Sequence, residues 1–195
     1  MRIKEGNKEK DIIEAAIKVF AEKGYFKSKI SKIADVAGVA TGSVYVYYEN
    51  KEDILLKIFE QLWGNILQEA QLIKNNNNSS PMEKLESLID MAFGTFMENT
   101  ALAIVYINEQ SNLIQYSPQK FTDNYDKFLD LCEDIIRDGI NKRVMAENID
   151  VQIFRNYFLG GFRNLLHHWA HDSQNYSLDR IRENVKLLTR HGIQR

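Results

Sequence analysis

One cysteine, two prolines and no apolar run of membrane-spanning length set the first limits on this chain of 195 residues. Cys132 has no second cysteine to pair with, so a disulfide scaffold is excluded and a reducing, cytoplasmic setting is expected. A membrane helix takes roughly 20 consecutive apolar residues, and the opening MRIKEGNKEK is charged where a signal peptide would be apolar. No membrane partner is therefore expected. Nor does the chain carry a nucleophile elbow, a P-loop or a dinucleotide fingerprint, so neither an enzyme nor a cofactor is expected. A net excess of either charge is lacking too, the balance being −2.

What is present is helical patterning. Hydrophobic residues make up 44% and charged residues 27%, the balance of an ordinary globular protein. Apolar positions recur at helical spacing along most of the chain, which predicts an all-α fold of about nine helices. The small net charge is unevenly spread. Residues 1–51 hold ten Lys and Arg against seven Asp and Glu, a balance of +3, and the rest holds fifteen against twenty, a balance of −5. A nucleic-acid contact is expected on the first segment, with the acidic remainder turned away.

The segment that organises the chain is SKISKIADVAGVATGSVYVYYENK, Ser28 to Lys51. Ile30, Ile33, Ala34 and Ala37 line one face of a short helix, for which Ser28 is the expected N-cap. Gly38 suits the left-handed conformation that ends a helix. A second short helix, about Thr41 to Tyr48, follows with Val44 facing inward. Two short helices joined at a glycine turn form a helix-turn-helix, whose second helix has the width to enter a major groove. Thr41, Gly42 and Ser43 open that helix, with small groups that allow close approach to a phosphate or base edge. Tyr45, Tyr47 and Tyr48 crowd it, and a small core can bury only one or two of them. Lys51 follows, in place for a backbone phosphate.

The run GYFKSKISKIADVAGVATGSVYVYYENKEDIL resembles the DNA-binding region of the TetR/AcrR family of regulators. The matching features are Gly24-Tyr25, Ser28, Ile33-Ala34, Ala37-Gly38-Val39, Gly42 with Tyr45, and Lys51 with Leu55. The resemblance implies an N-terminal helix-turn-helix DNA-binding domain, residues 1–50, and a C-terminal ligand-binding and dimerisation domain, residues 51–195. It implies a ligand-responsive transcriptional regulator, a repressor, that binds a double-stranded DNA operator as a homodimer. DNA-contacting positions are then expected at Ser28, Ser31, Thr41, Gly42, Ser43, Tyr45, Tyr47, Tyr48 and Lys51.

Around that segment, Arg2, Lys4, Lys8 and Lys10 form a basic arm. A first helix carries Ile12, Ile13, Ala16, Ile17, Val19 and Phe20 on its apolar face and ends at Gly24; Tyr25 and Phe26 then read as core or staple residues. Asn50 is the expected cap of a helix running to about Lys74, long enough to enter the second domain. After the polar loop NNNNSSP, Ser80-Pro81 and Ser117-Pro118 open helices at about 82–97 and 118–142, with another at 101–113 between them. Two more, about 150–171 and 178–192, are capped by Asp150 and Ser177. The apolar excess of these last two, from Phe154 to Leu188, predicts half of a four-helix dimer interface, where the family resemblance also places it. The adjacent Gly160 and Gly161 each cost roughly 1 kcal/mol inside a helix, which predicts a close approach by another helix.

Phe93, Phe96, Tyr106, Phe128, Phe158 and Phe162 are the candidate ligand-binding aromatics, able either to fill the second domain or to surround a lipophilic effector. The pieces GVATGSVYVYYENKEDIL, LAIV followed by QSN, and the Gly-centred helix ending in Trp169 and Asp172 are similar to the TetR-type fatty-acid-degradation regulators (FadR). That similarity implies a long-chain acyl-CoA effector and a place in fatty acid metabolism. The segment between LAIV and QSN is shorter here and has no arginine before QSN, so a multidrug-type effector stays open. A helical enzyme or an interaction module is the reading from another class. His167 and His171 stand four apart, a metal-site spacing, but no further ligand is identifiable and no metal is expected.

Overall fold

A computed structural model describes residues 8–116, 118–172 and 175–194, the side chains of 115–122 excepted. Among the described residues the chain forms nine α-helices: α1 (Lys8–Lys23), α2 (Ile30–Ala37), α3 (Thr41–Tyr47), α4 (Lys51–Asn75), α5 (Pro81–Met97), α6 (Thr100–Tyr116), α7 (Pro118–Asn141), α8 (Val151–His171) and α9 (Leu178–Ile193). Arg2 and Lys4 of the arm, the Ser117 cap and the Phe121 side chain lie outside the description.

Backbone contacts divide the chain into two units. The first holds residues up to 62 together with 101–121. The second holds 63–100 and the residues from 122 onward. In the first unit α1 buries Ile12, Ile13, Ala16, Ile17, Val19 and Phe20, the face expected from its spacing. It stops at Gly24, whose φ of +74° lies where a side chain would be strained. Gly38 ends α2 in the same way at φ +69°, while the Val39 amide donates to the Ala34 carbonyl at 3.0 Å.

The capping chemistry places the later helices. Asn50 Oδ1 accepts from the amides of Glu52 (2.8 Å) and Asp53 (3.0 Å) at the start of α4. Ser80 and Glu83 form a reciprocal capping box on α5 behind Pro81, so the Glu83 carboxyl, bonded by the Ser80 amide and hydroxyl, is held below its usual range. Asp150 caps α8 and Ser177 caps α9.

Within the second unit, α9 lies along α5. Arg190 grips Glu86 through two bonds of 2.7 Å, and Lys186 reaches Asp90 at 2.9 Å. A tight hairpin follows α7. Arg143 takes φ +58°, the Val144 and Met145 amides both donate to the Gly139 carbonyl, and Met145 forms an isolated bridge with Gln194. A Cβ on Gly139 would crowd Met145 Sδ and stand 2.8 Å from its Cγ, so a side chain there would force this fully buried methionine to shift.

Candidate functional site

The short α3 is held from one side only. Val44 is fully buried, and Tyr48, just past the helix, is nearly so. Everything else on its two turns faces outward or lies at the rim. Tyr45 is 55% exposed, Val46 79% and Tyr47 44%. Thr41 and Ser43 are half-buried, and Gly42 is exposed, with no described atom beyond its chain neighbours and the helix backbone within 4 Å of where its Cβ would be. Ser31 is exposed on α2. The tyrosine crowding thus resolves as one buried ring and two presented ones.

Two expectations are corrected, the Ser28 cap and the place of Phe26 in the core. Ser28 does not cap α2, which starts one residue later behind Lys29 and has no side-chain cap. Its hydroxyl is buried and donates to the Gly24 carbonyl at 2.7 Å, because the free carbonyls at the end of α1 lie on that side. Tyr48 is the buried ring: its hydroxyl donates to Glu9 Oε1 at 3.3 Å, and burial followed by the Glu9 charge raises its pKa. The Lys51 side chain turns back onto the segment between α1 and α2. Its ammonium donates to the carbonyls of Tyr25 (2.8 Å) and Phe26 (3.1 Å) and lies 4.4 Å from the centre of the Tyr25 ring. Phe26 is not a core residue, being 76% exposed, since its side chain points off the turn that Lys51 holds from the backbone side.

Sequence reasoning also passed over Val46 and the exposed cations Lys27, Lys29 and Lys32. Three lysines within six residues were a usable signal, because a local cation cluster on the segment of positive balance is what a phosphate backbone attracts.

In the second unit three of the six candidate aromatics form one cluster. Phe162 meets Phe93 edge-on at 4.8 Å and Phe96 at 6.0 Å, and Phe93 and Phe96 are almost completely enclosed. Phe158 stacks on Phe154 at 6.2 Å. Phe128 packs instead on Trp63 at 5.6 Å, beside Tyr125. Tyr106 is buried in the first unit, because its stretch of α6 folds with that unit. On α8, Arg155 pairs with Glu133 at 2.7 Å, and its buried Nε has no hydrogen-bond partner among the described residues.

Phe158 and Phe162 also line an apolar groove of about 480 Å³ between α8 and α9, with Gly161, Leu165, Val185 and Leu188. Ile153, Tyr157, Leu187 and Leu188 stand exposed on the same two helices. Beyond their chain neighbours and the backbone of α8, no described atom comes within 4 Å of a Cβ built on Gly160 or Gly161, so the close approach expected there is not made by the described residues of one chain. His167 and His171 stack with ring centres 4.3 Å apart, and His171 Nδ1 lies 2.9 Å from the His167 carbonyl. Among the described residues no three His, Cys, Asp or Glu side chains are grouped as a metal would need. No single described helix is long and apolar enough to cross a membrane.

Comparison with known proteins agrees with this geometry. Residues 12–58 match the model of the bacterial regulatory proteins of the tetR family, and residues 59–192 match that of the YsiA-like protein C-terminal region. The chain is 35% identical over 185 residues to the fatty acid metabolism regulator protein of Bacillus subtilis, covering 93% of each chain. Its fold is similar to that of the fatty acid degradation regulator FadR from Bacillus halodurans, with a TM-score of 0.82 and 30% identity over 95% of each chain. It is likewise similar to FadR from Bacillus subtilis in complex with stearoyl-CoA, with a TM-score of 0.81 and 33% identity over 92% of this chain and 96% of that one. With both units matched in sequence and fold, the chain belongs to the tetR family of bacterial regulatory proteins.

Proposed function

We propose that this chain is a transcriptional repressor of fatty acid metabolism that grips a DNA operator as a two-fold dimer and releases it on binding a long-chain acyl-CoA. The observation that carries the reading is the likeness over more than nine-tenths of the chain to a FadR solved with stearoyl-CoA. The chain's own residues support each part. Tyr45, Val46 and Tyr47 offer side chains to base edges from a helix of groove width, with Thr41 and Ser43 at its opening. Lys27, Lys29 and Lys32 supply charge for phosphates. The exposed apolar strip on α8 and α9, with two glycines that leave room for a helix, supports pairing with a second copy. Such a dimer presents two copies of α3 to half-sites about 34–36 Å apart. The incompletely bonded Arg155 guanidinium gives the second unit a cation suited to an anionic head group.

Release is a linkage between two equilibria. An effector that binds one arrangement of the dimer better than the DNA-gripping one draws the population toward it, and operator affinity falls. The fall is bounded by the effector's differential affinity for the two arrangements.

The test uses purified full-length chain and a double-stranded fragment of its own promoter. Binding that weakens with salt, and is reversed by stearoyl-CoA but not by CoA alone, is the expected result. Stearoyl-CoA should also raise the melting temperature, because a ligand of the folded state stabilises it. No melting shift and no release with any acyl chain length refutes the effector while leaving the repressor standing. An absence of salt-dependent DNA binding refutes the repressor.

A further inference from the structure

Helix α8 ends on two histidines one turn apart. His167 and His171 are both exposed, and their rings lie stacked with centres 4.3 Å apart. Residues four apart are neighbours on a helix face, and this spacing brings two imidazoles within reach of one metal ion. His171 Nδ1 lies 2.9 Å from the His167 carbonyl oxygen. A carbonyl only accepts, so Nδ1 carries the hydrogen, and the neutral ring keeps its lone pair on Nε2. A backbone carbonyl in that place is one of the partners that orient metal-binding histidines. The His167 ring nitrogens have no hydrogen-bond partner among the described residues, and the terminal torsion of histidine is broad. A metal about 2.0–2.1 Å from each of two nitrogens requires them about 3.4 Å apart. A turn of the His167 ring supplies that from ring centres at 4.3 Å.

We propose that His167 and His171 form an open chelate for a divalent transition metal, Ni²⁺, Cu²⁺ or Zn²⁺, at the C-terminal end of α8. Imidazole nitrogens suit these ions, whereas magnesium and calcium take oxygen ligands. The pair stands in the last turn of α8, where the helix dipole favours a cation, and Asp172 follows at the C-cap. Both Asp172 carboxylate oxygens accept from Asn175 at 3.0 Å, so Asp172 adds negative charge without joining the ligand set. A closed site takes three or four protein ligands, and the described residues group none. An open chelate takes two and leaves its other positions to water. His168 does not share the arrangement: its ring stands perpendicular to that of His167 at 5.9 Å and meets Tyr176 at 6.3 Å. The pair is complete within one chain, so each chain holds one ion. A bound ion ties residues one turn apart and staples the end of α8 ahead of the turn into α9.

Calorimetric titration of the full-length chain, free of any purification tag, with NiCl₂ tests the site beside His167→Asn, His171→Asn and His168→Asn. The wild type should take up one ion per chain. His167→Asn and His171→Asn should each weaken that binding by about tenfold or more, since even the hydrogen-bond partner of a ligand counts on that scale. His168→Asn should bind as the wild type does. Cu²⁺ should bind more tightly than Ni²⁺, and MgCl₂ should leave the pair unoccupied. All three side chains are exposed, so the variants should keep the helical circular dichroism of the wild type. No Ni²⁺ binding by the wild type, wild-type affinity in His167→Asn or His171→Asn, or an equal loss in His168→Asn overturns the proposal. One ion for every two chains also overturns it, because the ion would then be shared between copies.

Two spectroscopic readings check the ligands and the staple directly, and neither depends on DNA binding. With one equivalent of Cu²⁺, electron paramagnetic resonance in frozen solution should show splitting from two nitrogens in the wild type and from one in each of His167→Asn and His171→Asn. A spectrum of oxygen donors alone refutes the chelate. Ni²⁺ should slow amide hydrogen exchange at the end of α8, where the Asp172 amide donates to the His168 carbonyl at 3.0 Å. Exchange there that is the same with and without bound Ni²⁺ refutes the staple.

Discussion

Replacing Leu188 with glutamate gives the sharpest test of the proposed dimer face. Leu188 is 71% exposed on α9 and borders the α8–α9 groove, so it contributes little to the fold of a single chain. Full burial of a leucine side chain is worth about 1.5–3 kcal/mol. With about two-thirds of that still to be gained on association, each Leu188 contributes about 1–2 kcal/mol. A two-fold interface uses every residue twice, so the leucine loss alone removes about 2–4 kcal/mol. At 1.4 kcal/mol per tenfold this weakens self-association by about 30- to 1000-fold. Two buried carboxylates without partners weaken it further. Sedimentation equilibrium over a concentration series should therefore find monomers where the wild type is dimeric, with helical circular dichroism retained and operator binding lost. A variant that sediments as the wild type does at every concentration would refute the reasoning and move the interface off this face. Phe162→Glu would be a poor substitute: Phe162 is 7% exposed and packs edge-on against Phe93, so a charge there attacks the core before it reaches the interface.

Other outcomes follow from single contacts. Burial, followed by the charge of Glu133, pushes the Cys132 thiol up to about 12, so iodoacetamide at pH 8 should alkylate it far more slowly in the folded chain than in urea; equal rates would contradict the burial. Gly139→Ala should destabilise by about 1–2 kcal/mol, since overpacking against Met145 costs about 1–3 kcal/mol and helix propensity returns up to about 1. A raised melting temperature would mean that Met145 moves aside freely. Tyr47→Ala should relax sequence preference in a selection from random DNA by about 1–3 kcal/mol at the affected base pairs while keeping the salt slope. Unaltered preference would remove Tyr47 from base reading.

Much of this protein was decided by local chemistry and is readable without coordinates. The α1 face from Ile12 to Phe20, the stops at Gly24 and Gly38, and the caps at Asn50, Ser80, Asp150 and Ser177 depend on residues within one or two turns of each other. Local interactions of that kind are carried by the sequence itself. The family pattern from Gly24 to Leu55 is local in the same sense, and it led to the helix-turn-helix before any contact was known.

Tertiary structure decided which of several equivalent side chains faces what. Tyr45, Tyr47 and Tyr48 are the same residue within four positions, and only the packing against α1, where Glu9 waits, selects Tyr48 for burial. The Lys51 ammonium meets the carbonyls of Tyr25 and Phe26, some 25 residues earlier, which no local pattern indicates. Ser28 has the composition of a cap, but its hydroxyl donates to the Gly24 carbonyl just past α1, and α2 begins behind Lys29 with no side-chain cap. Among the candidate aromatics, Phe162 meets Phe93 and Phe96, whereas Phe128 finds Trp63, which stands 65 positions earlier in the chain. Helical periodicity determines which face of a helix is apolar; which neighbour meets that face is set by contacts between residues far apart in the chain, and no local pattern encodes those.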